Sequence, residues 1–194
     1  MVLTLNWAIL LLSIVTSTGL LLSRDWRWSL GLLAVQYLSI FWMVQAHWPI
    51  PMAAVKLVTG WMACAMLGIA HLRASRDKGT DDTWPHGQLF HVLAAGMILT
   101  VTYALSLRTV DWLGISLPVA WGGLLLIGLG LLHLGITSES FQVILGLLTV
   151  LTGFEILYAA VESSSLVAAL LVIVNLGLAM AGAYFMNVTQ EKTS

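Results

Sequence analysis

Charged side chains are scarce in this sequence. Its 194 residues include 8 Lys+Arg and 9 Asp+Glu, so 9% are charged while 59% are hydrophobic. An ordinary soluble domain carries about 25% charged residues. A water-soluble surface cannot be built from so little charge, which excludes a soluble globular domain. The net charge of −1 offers no basic patch, so nucleic acid is excluded as a partner.

Cysteine and proline are also rare. The single cysteine, Cys64, excludes an internal disulfide and a cysteine-based metal cluster, and we expect no metal site. The four prolines lie near the ends of apolar stretches, at positions 49, 51, 85 and 118. Broken helices are therefore not indicated, and we identify no internal repeat. The absence of broken helices and of a repeat counts against a small-solute transporter.

Long apolar stretches fill most of the chain. A membrane-spanning helix needs about 20 mostly apolar residues. The sequence predicts an all-α integral membrane protein, a bundle of about seven transmembrane helices. The predicted spans are Leu3–Leu22, Trp28–His47, Ile50–Leu72, Gln88–Leu107, Leu113–Leu134, Phe141–Val161 and Ser165–Met186. The short connections leave no room for a catalytic domain outside the membrane.

Basic residues predict the orientation of the bundle. One side gathers six of them, whereas the opposite side has only Arg108; the six are Arg24, Arg27, Arg73, Arg76, Lys78 and Lys192. Because cytoplasmic loops are enriched in Lys and Arg, we expect the N-terminus outside and the C-terminus in the cytoplasm. The first span is then a retained anchor, not a cleaved signal peptide.

Three polar residues inside the spans are candidates for a proton path. An ionisable group at membrane depth costs roughly 2.5–3.5 kcal/mol even on the lenient insertion scale, so Lys56 and Glu155 are functional candidates by default. Glu155 belongs to a polar stripe in the sixth span with Thr149, Thr152 and Tyr158. Asn175, in the seventh span, is the third candidate. Snorkelling of Lys56 to the interface, pairing of Glu155 with a neighbour, and an interhelical contact of Asn175 are the structural alternatives.

Small and polar residues also recur along single faces of other spans. The stripes comprise Asn6, Ser13, Thr16 and Ser17 in the first span and Ser29, Gln36 and Ser39 in the second. The fifth span is rich in glycine. Because such residues mark packing faces in lipid, we interpret all three features as helix–helix contacts.

Three histidines support an alternative function. His71, His91 and His133 are all predicted near the cytoplasmic side, on different helices. Histidines at one depth can ligate haem b or flank a quinone; alternatively each is solvated at a helix end. A retinal protein is excluded because the seventh predicted span has no lysine for a Schiff base.

Several short motifs resemble a known family. From Leu113 onward the chain resembles subunit K of NADH–quinone oxidoreductase, with Gly153–Leu157 (GFEIL) similar to its Gly-Leu-Glu segment and 175–179 (NLGLA) similar to its third span. The first four spans extend the likeness to hydrogenase-4 component E. There 27–36 (RWSLGLLAVQ) resembles the second-span pattern R-x-S-x-G-x-x-A-x-Q, and 54–58 (AVKLV) resembles the lysine-bearing third span.

The resemblance implies a four-helix region at 1–110 followed by a three-helix subunit-K-like region at 111–194. It implies a non-catalytic subunit of a complex I-like or group 4 hydrogenase-like complex in a prokaryotic plasma membrane. Its partners would be antiporter-like membrane subunits and the lipid bilayer, with no cofactor of its own. Two departures stand out: Asn175 replaces the third-span acid, and Leu151 occupies the position of the usual glutamate of the preceding span.

Overall fold

The computed structural model describes residues 2–23, 25–45, 48–74, 88–162 and 164–191. These residues form seven helices and no strand. The helices are α1 (Val2–Leu22), α2 (Trp26–Gln45), α3 (Ile50–Ala74), α4 (Gln88–Leu113), α5 (Leu117–Ile136), α6 (Ser140–Val161) and α7 (Ser165–Glu191).

Six of the described helices, α2 to α7, are long and apolar enough to cross a membrane. The predicted all-helical class is therefore confirmed, and the chain has the character of a multi-pass membrane protein. The corresponding apolar part of α1, Asn6–Leu22, is too short to be counted with these six. A seventh crossing and the direction of the termini stay predictions. Four of the six basic residues behind that direction, at 24, 76, 78 and 192, lie outside the described residues.

The predicted limits between the fourth and fifth spans are wrong. Leu113, predicted to begin the fifth span, is the last residue of α4, which runs six residues beyond the predicted end at Leu107. Gly114 follows with φ +65°, a left-handed conformation that ends the helix without the strain another residue would incur. Pro118 then lies in the first turn of α5, where its missing N–H has no helical partner to lose.

Six helices pack as two stacked layers. In the N-terminal layer α2 lies between α1 and α3, and in the C-terminal layer α6 lies between α5 and α7. The layers are in register: α1 packs on α5, α2 on α6, and α3 on α7. The remaining helix, α4, lies outside the layers against α5 and α1, and it is the least buried of the six spans. We call the end of the bundle where α1, α3, α5 and α7 begin the first end, and the opposite end the second end.

The closest helix pair is α5 with α6. A Cβ atom on Gly153 would lie 2.5 Å from the Gly123 carbonyl oxygen, and one on Gly130 would lie 2.8 Å from the Val150 nitrogen. The two backbones therefore meet directly. The interpretation of the glycine-rich fifth span as a packing face is confirmed for these glycines, since small residues let helices approach closely in lipid.

The two layers repeat one another. Their helices begin at Val2 and Leu117, at Trp26 and Ser140, and at Ile50 and Ser165, a spacing of 115, 114 and 115 residues. The segments 30–35 (LGLLAV) and 145–150 (LGLLTV) differ only at Ala34 and Thr149. The equal spacing describes the topology of the two layers. Because LGLL also occurs at 129–132, the short matching segment does not establish a repeat in the sequence, and the expectation that the sequence has none stays a prediction.

Candidate functional site

An ion pair joins the two layers inside the bundle. Lys56 Nζ of α3 donates to Glu155 Oε1 of α6 at 2.5 Å. The two side chains are only 5% and 3% exposed. Lys56 lies six residues after the start of α3, and Glu155 lies six residues before the end of α6. At about 1.5 Å per residue, both are about 9 Å from the first end of their helices.

A second polar contact lies about one turn deeper. The Tyr37 hydroxyl of α2 donates to Asn175 Oδ1 of α7 at 3.0 Å, and both side chains are buried. Gly60 makes room for this tyrosine, because a Cβ atom at Gly60 would overlap the Tyr37 ring. Gly60 is four residues after Lys56 on α3. The same face of α3 therefore carries the charged Lys56 side chain and packs against Tyr37.

The two contacts run along the two diagonals of one helix cluster. Helices α2, α3, α7 and α6 surround the site, each packed on the next. Lys56–Glu155 connects the α3–α6 diagonal, and Tyr37–Asn175 connects the α2–α7 diagonal. Each contact therefore links the N-terminal layer to the C-terminal layer. The long lysine and tyrosine side chains make these diagonal contacts possible.

Threonine hydroxyls continue the polar surface along α6. Thr149 and Thr152 are buried, and their hydroxyls donate to the carbonyl oxygens of Leu145 and Leu148 in the preceding turn. A threonine oxygen used in this way still has lone pairs that can accept a further hydrogen bond. The predicted stripe through Thr149, Thr152 and Glu155 thus lies in the interior, whereas Tyr158 is half-buried.

This arrangement allows a proton to reside on either of two groups. An amine and a carboxyl group in direct hydrogen-bond contact exist either as an ion pair or as a neutral pair that differs by transfer of one proton. Burial makes any unpaired charge expensive, so gain or loss of a proton at one group changes the state of the other.

Sequence reasoning identified some members of the site and missed others. Lys56 and Glu155, predicted separately, form one pair, and Asn175 binds Tyr37, not either charged group. Tyr37 was not predicted. It is a single aromatic residue in an apolar helix, and only the direct packing of its ring on Gly60 across the α2–α3 interface makes it part of the site.

The three histidines lie near the second end, and two of them, His91 and His133, are within electrostatic reach of each other. His133 is buried and its Nε2 lies 3.0 Å from Gln142 Oε1. His71 lies between the rings of Trp26 and Phe141, with centroid distances of 5.2 and 4.7 Å. His91 is half-buried near the start of α4. Within the described ranges, no group of three His, Cys, Asp or Glu side chains could hold a metal ion. Haem or quinone binding by these histidines stays an untested prediction.

Comparison of the chain with protein-family models, curated proteins and solved structures gave no match. The likeness to subunit K and to hydrogenase-4 component E therefore rests on the short motifs alone.

Proposed function

We propose that this chain is a non-catalytic membrane subunit of a complex I-like or group 4 hydrogenase-like complex, and that its Lys56–Glu155 pair forms part of a lateral proton path. The complex would lie in a prokaryotic plasma membrane, with the N-terminus outside. Antiporter-like subunits would be its neighbours. The chain itself would carry no cofactor.

The buried ion pair is the observation that carries this proposal. Charged residues inside membrane helices are costly, and they commonly mark ion or proton pathways. Here the pair is held by two helices from different layers and is flanked by the Tyr37–Asn175 contact. An intramembrane pair that served only to hold the bundle together could be replaced by apolar packing without loss of stability.

The exposed apolar surface also fits a subunit that has neighbours. Most of α4 is not buried, and α7 presents Leu166, Leu170, Ile173 and Met180 outward. Such faces can contact either lipid or the helices of other subunits. They fit the proposed partners without identifying them.

Replacement of the acid tests the proposed role in proton movement. In the intact complex, Glu155→Gln removes the titratable group and keeps the size and hydrogen-bonding capacity of the side chain. We expect proton translocation by membrane vesicles to fall while assembly is retained. Glu162→Gln is the matched control, because Glu162 follows the same helix but is exposed.

Purification from native membranes tests the proposed partners. We expect antiporter-like membrane subunits among the co-purifying proteins and no haem b band in a reduced-minus-oxidised spectrum. Unchanged translocation in Glu155→Gln would remove the proton role. A haem b band with no antiporter-like partner would favour the cytochrome alternative.

A further inference from the structure

A groove runs between α3 and α7 near the second end, on the outside of the bundle. Its volume is about 190 Å³, and its apolar part is lined by Met66 and Ile69 of α3 and by Met180 and Ala183 of α7. Ile69 and Met180 are exposed, so the groove faces the membrane. A helix with its side chains is about 10–12 Å across, so the α3–α7 groove is too small for another helix to enter.

Two polar side chains line the α3–α7 groove at the second end. They are Arg73 of α3 and Asn187 of α7, and both are exposed. No acidic side chain within the described ranges forms an ion pair with Arg73. The residues that line the groove include no acid. The groove therefore offers a positive charge and an amide at one end, and its lining holds no charge that would repel an anion.

The polar and apolar parts of the groove lie at the depths of the two parts of a phospholipid. Met66 and Met180 lie seven residues before Arg73 and Asn187, which places them about 10 Å deeper in the bundle. Arg73 lies 23 residues after the start of α3, about 35 Å along the helix. Because the hydrocarbon core of a bilayer is about 30 Å thick, Arg73 reaches the headgroup region while the methionines stay beside the acyl chains. One amphiphilic molecule lying along the groove would contact both parts at once.

We propose that the α3–α7 groove binds an anionic phospholipid, with the headgroup phosphate on Arg73 and Asn187 and one acyl chain along Met66, Met180 and Ala183. A guanidinium group matches a phosphate with two parallel hydrogen bonds, and the asparagine amide can donate another. Basic pockets between membrane helices on the cytoplasmic side bind anionic headgroups, and the second end is the end predicted to be cytoplasmic. Lipid binding here is independent of the Lys56–Glu155 pair, so it can be tested apart from the proposed function.

Arg73→Gln tests the headgroup contact. Native mass spectrometry of the purified chain compares the binding of phosphatidylglycerol and phosphatidylcholine with the same acyl chains. We expect phosphatidylglycerol to bind more tightly, and Arg73→Gln to lower its affinity about fivefold, since one basic residue near anionic lipid is lost. Arg27→Gln is the matched control, because Arg27 is exposed at the same end but lies over the Trp26 ring and outside the groove. We expect the control to keep the affinity.

Ala183→Leu tests the acyl-chain contact, because leucine fills the apolar part of the groove without changing any charge. We expect the affinity for both lipids to fall, since the displaced chain is common to them. Ala104→Leu is the matched control, because Ala104 is exposed on α4, away from the groove. If Ala183→Leu does not fold, Ala183→Val is measured in the same way, with the same results supporting or overturning the site.

A photoreactive amino acid at position 180 identifies the occupant in native membranes, and we expect it to crosslink to phospholipid. A crosslink to a neighbouring protein instead would overturn lipid occupancy. Equal phosphatidylglycerol affinities in Arg73→Gln and Arg27→Gln would show that the groove does not select the headgroup, and unchanged lipid affinity in Ala183→Leu would show that no chain lies in it. Either result overturns the site. The proposed function is decided separately, by translocation in Glu155→Gln.

Discussion

The cost of burying Lys56 in the membrane interior depends on the presence of Glu155, and the reverse is also true. Each side chain alone would be a buried charge in a medium that solvates charge poorly, and each removes most of the other's cost. The protein should therefore be about equally stable when both residues are present and when both are replaced by apolar residues. It should be less stable when only one of them is replaced.

We expect Lys56→Met and Glu155→Leu each to lower the free energy of unfolding by about 3–5 kcal/mol, because each leaves an unpaired buried group. The double variant should recover most of this loss, since an apolar pair of similar volume needs no partner. Unfolding in detergent micelles, analysed as a double-mutant cycle, measures both values. Additive effects of the two single changes would contradict a direct pair.

Gly60 gives a second prediction for single residues. Gly60→Ala should lower the free energy of unfolding by about 1–3 kcal/mol, because the new methyl group must displace the Tyr37 ring and weaken its bond to Asn175. Gly177→Ala is the matched control, since nothing lies within 4 Å of its added Cβ. Equal stability of the two variants would show that Tyr37 is not held against α3.

For single residues, the sequence indicated which side chains are charged inside a span, but not which side chains they contact. Lys56 and Glu155 could be selected because an ionisable residue in an apolar span is conspicuous. Their pairing could not be predicted, because they are 99 residues apart and lie on helices that face each other only across a diagonal. Gln36 was visible as part of a stripe. The lack of a hydrogen-bond partner for its side chain among the described residues depends on the packing of its neighbours.

Among the helices, the α5–α6 pair depends most on the absence of side chains. The carbonyl oxygen of Gly123 occupies the space that a Cβ atom on Gly153 would need, and backbone atoms cannot move aside as a flexible side chain can. This pair therefore fixes how closely the C-terminal layer packs.

We expect Gly153→Ala to destabilise the protein by at least about 1–3 kcal/mol, as overpacking does in a tight core. Gly135→Ala should be neutral or slightly stabilising, because its Cβ would meet nothing within 4 Å and alanine favours a helix. Thermal unfolding of the two variants in the same detergent provides the comparison. A stable Gly153→Ala variant would mean that α5 and α6 are further apart than described.

Helix boundaries were predictable where composition changes sharply. The starts at Ile50, Gln88 and Ser165 match the structure, because polar or proline-containing segments precede them. The α4–α5 boundary was missed because residues 108–113 (RTVDWL) mix polar and apolar residues and gave no clear limit. Gly114 ends α4 by adopting a left-handed conformation, and hydropathy gives no information about backbone conformation.

For the whole molecule, orientation is the property that most needs a direct measurement. Ser116 and Ser138 are exposed residues in the short connections at opposite ends of α5. In intact spheroplasts, we expect Ser116→Cys to react with a membrane-impermeant maleimide and Ser138→Cys to react only after permeabilisation. The excess of basic residues on the cytoplasmic side is the reason for this expectation.

The two variants control for each other, because both create a cysteine from an exposed serine. The native Cys64 is buried and should give little background. The opposite labelling pattern would show that the bundle is inserted in the opposite direction, with the N-terminus in the cytoplasm.

The stacked layers were beyond sequence reasoning. Pattern analysis indicates which faces of a helix are polar or small, but not which helix lies behind each face. The correspondence of α1 with α5, α2 with α6 and α3 with α7 emerged from contacts and from the spacing of helix starts.

The crossed diagonals also have a mechanical consequence. A slide of one layer over the other by a single helix turn, about 5.4 Å, would separate Lys56 from Glu155 and Tyr37 from Asn175 at once. The two side-chain contacts, which run in different directions, thus together restrain sliding of one layer over the other. A change in the charge of the pair would weaken this restraint, so protonation of Glu155 would reduce the resistance of the two layers to sliding.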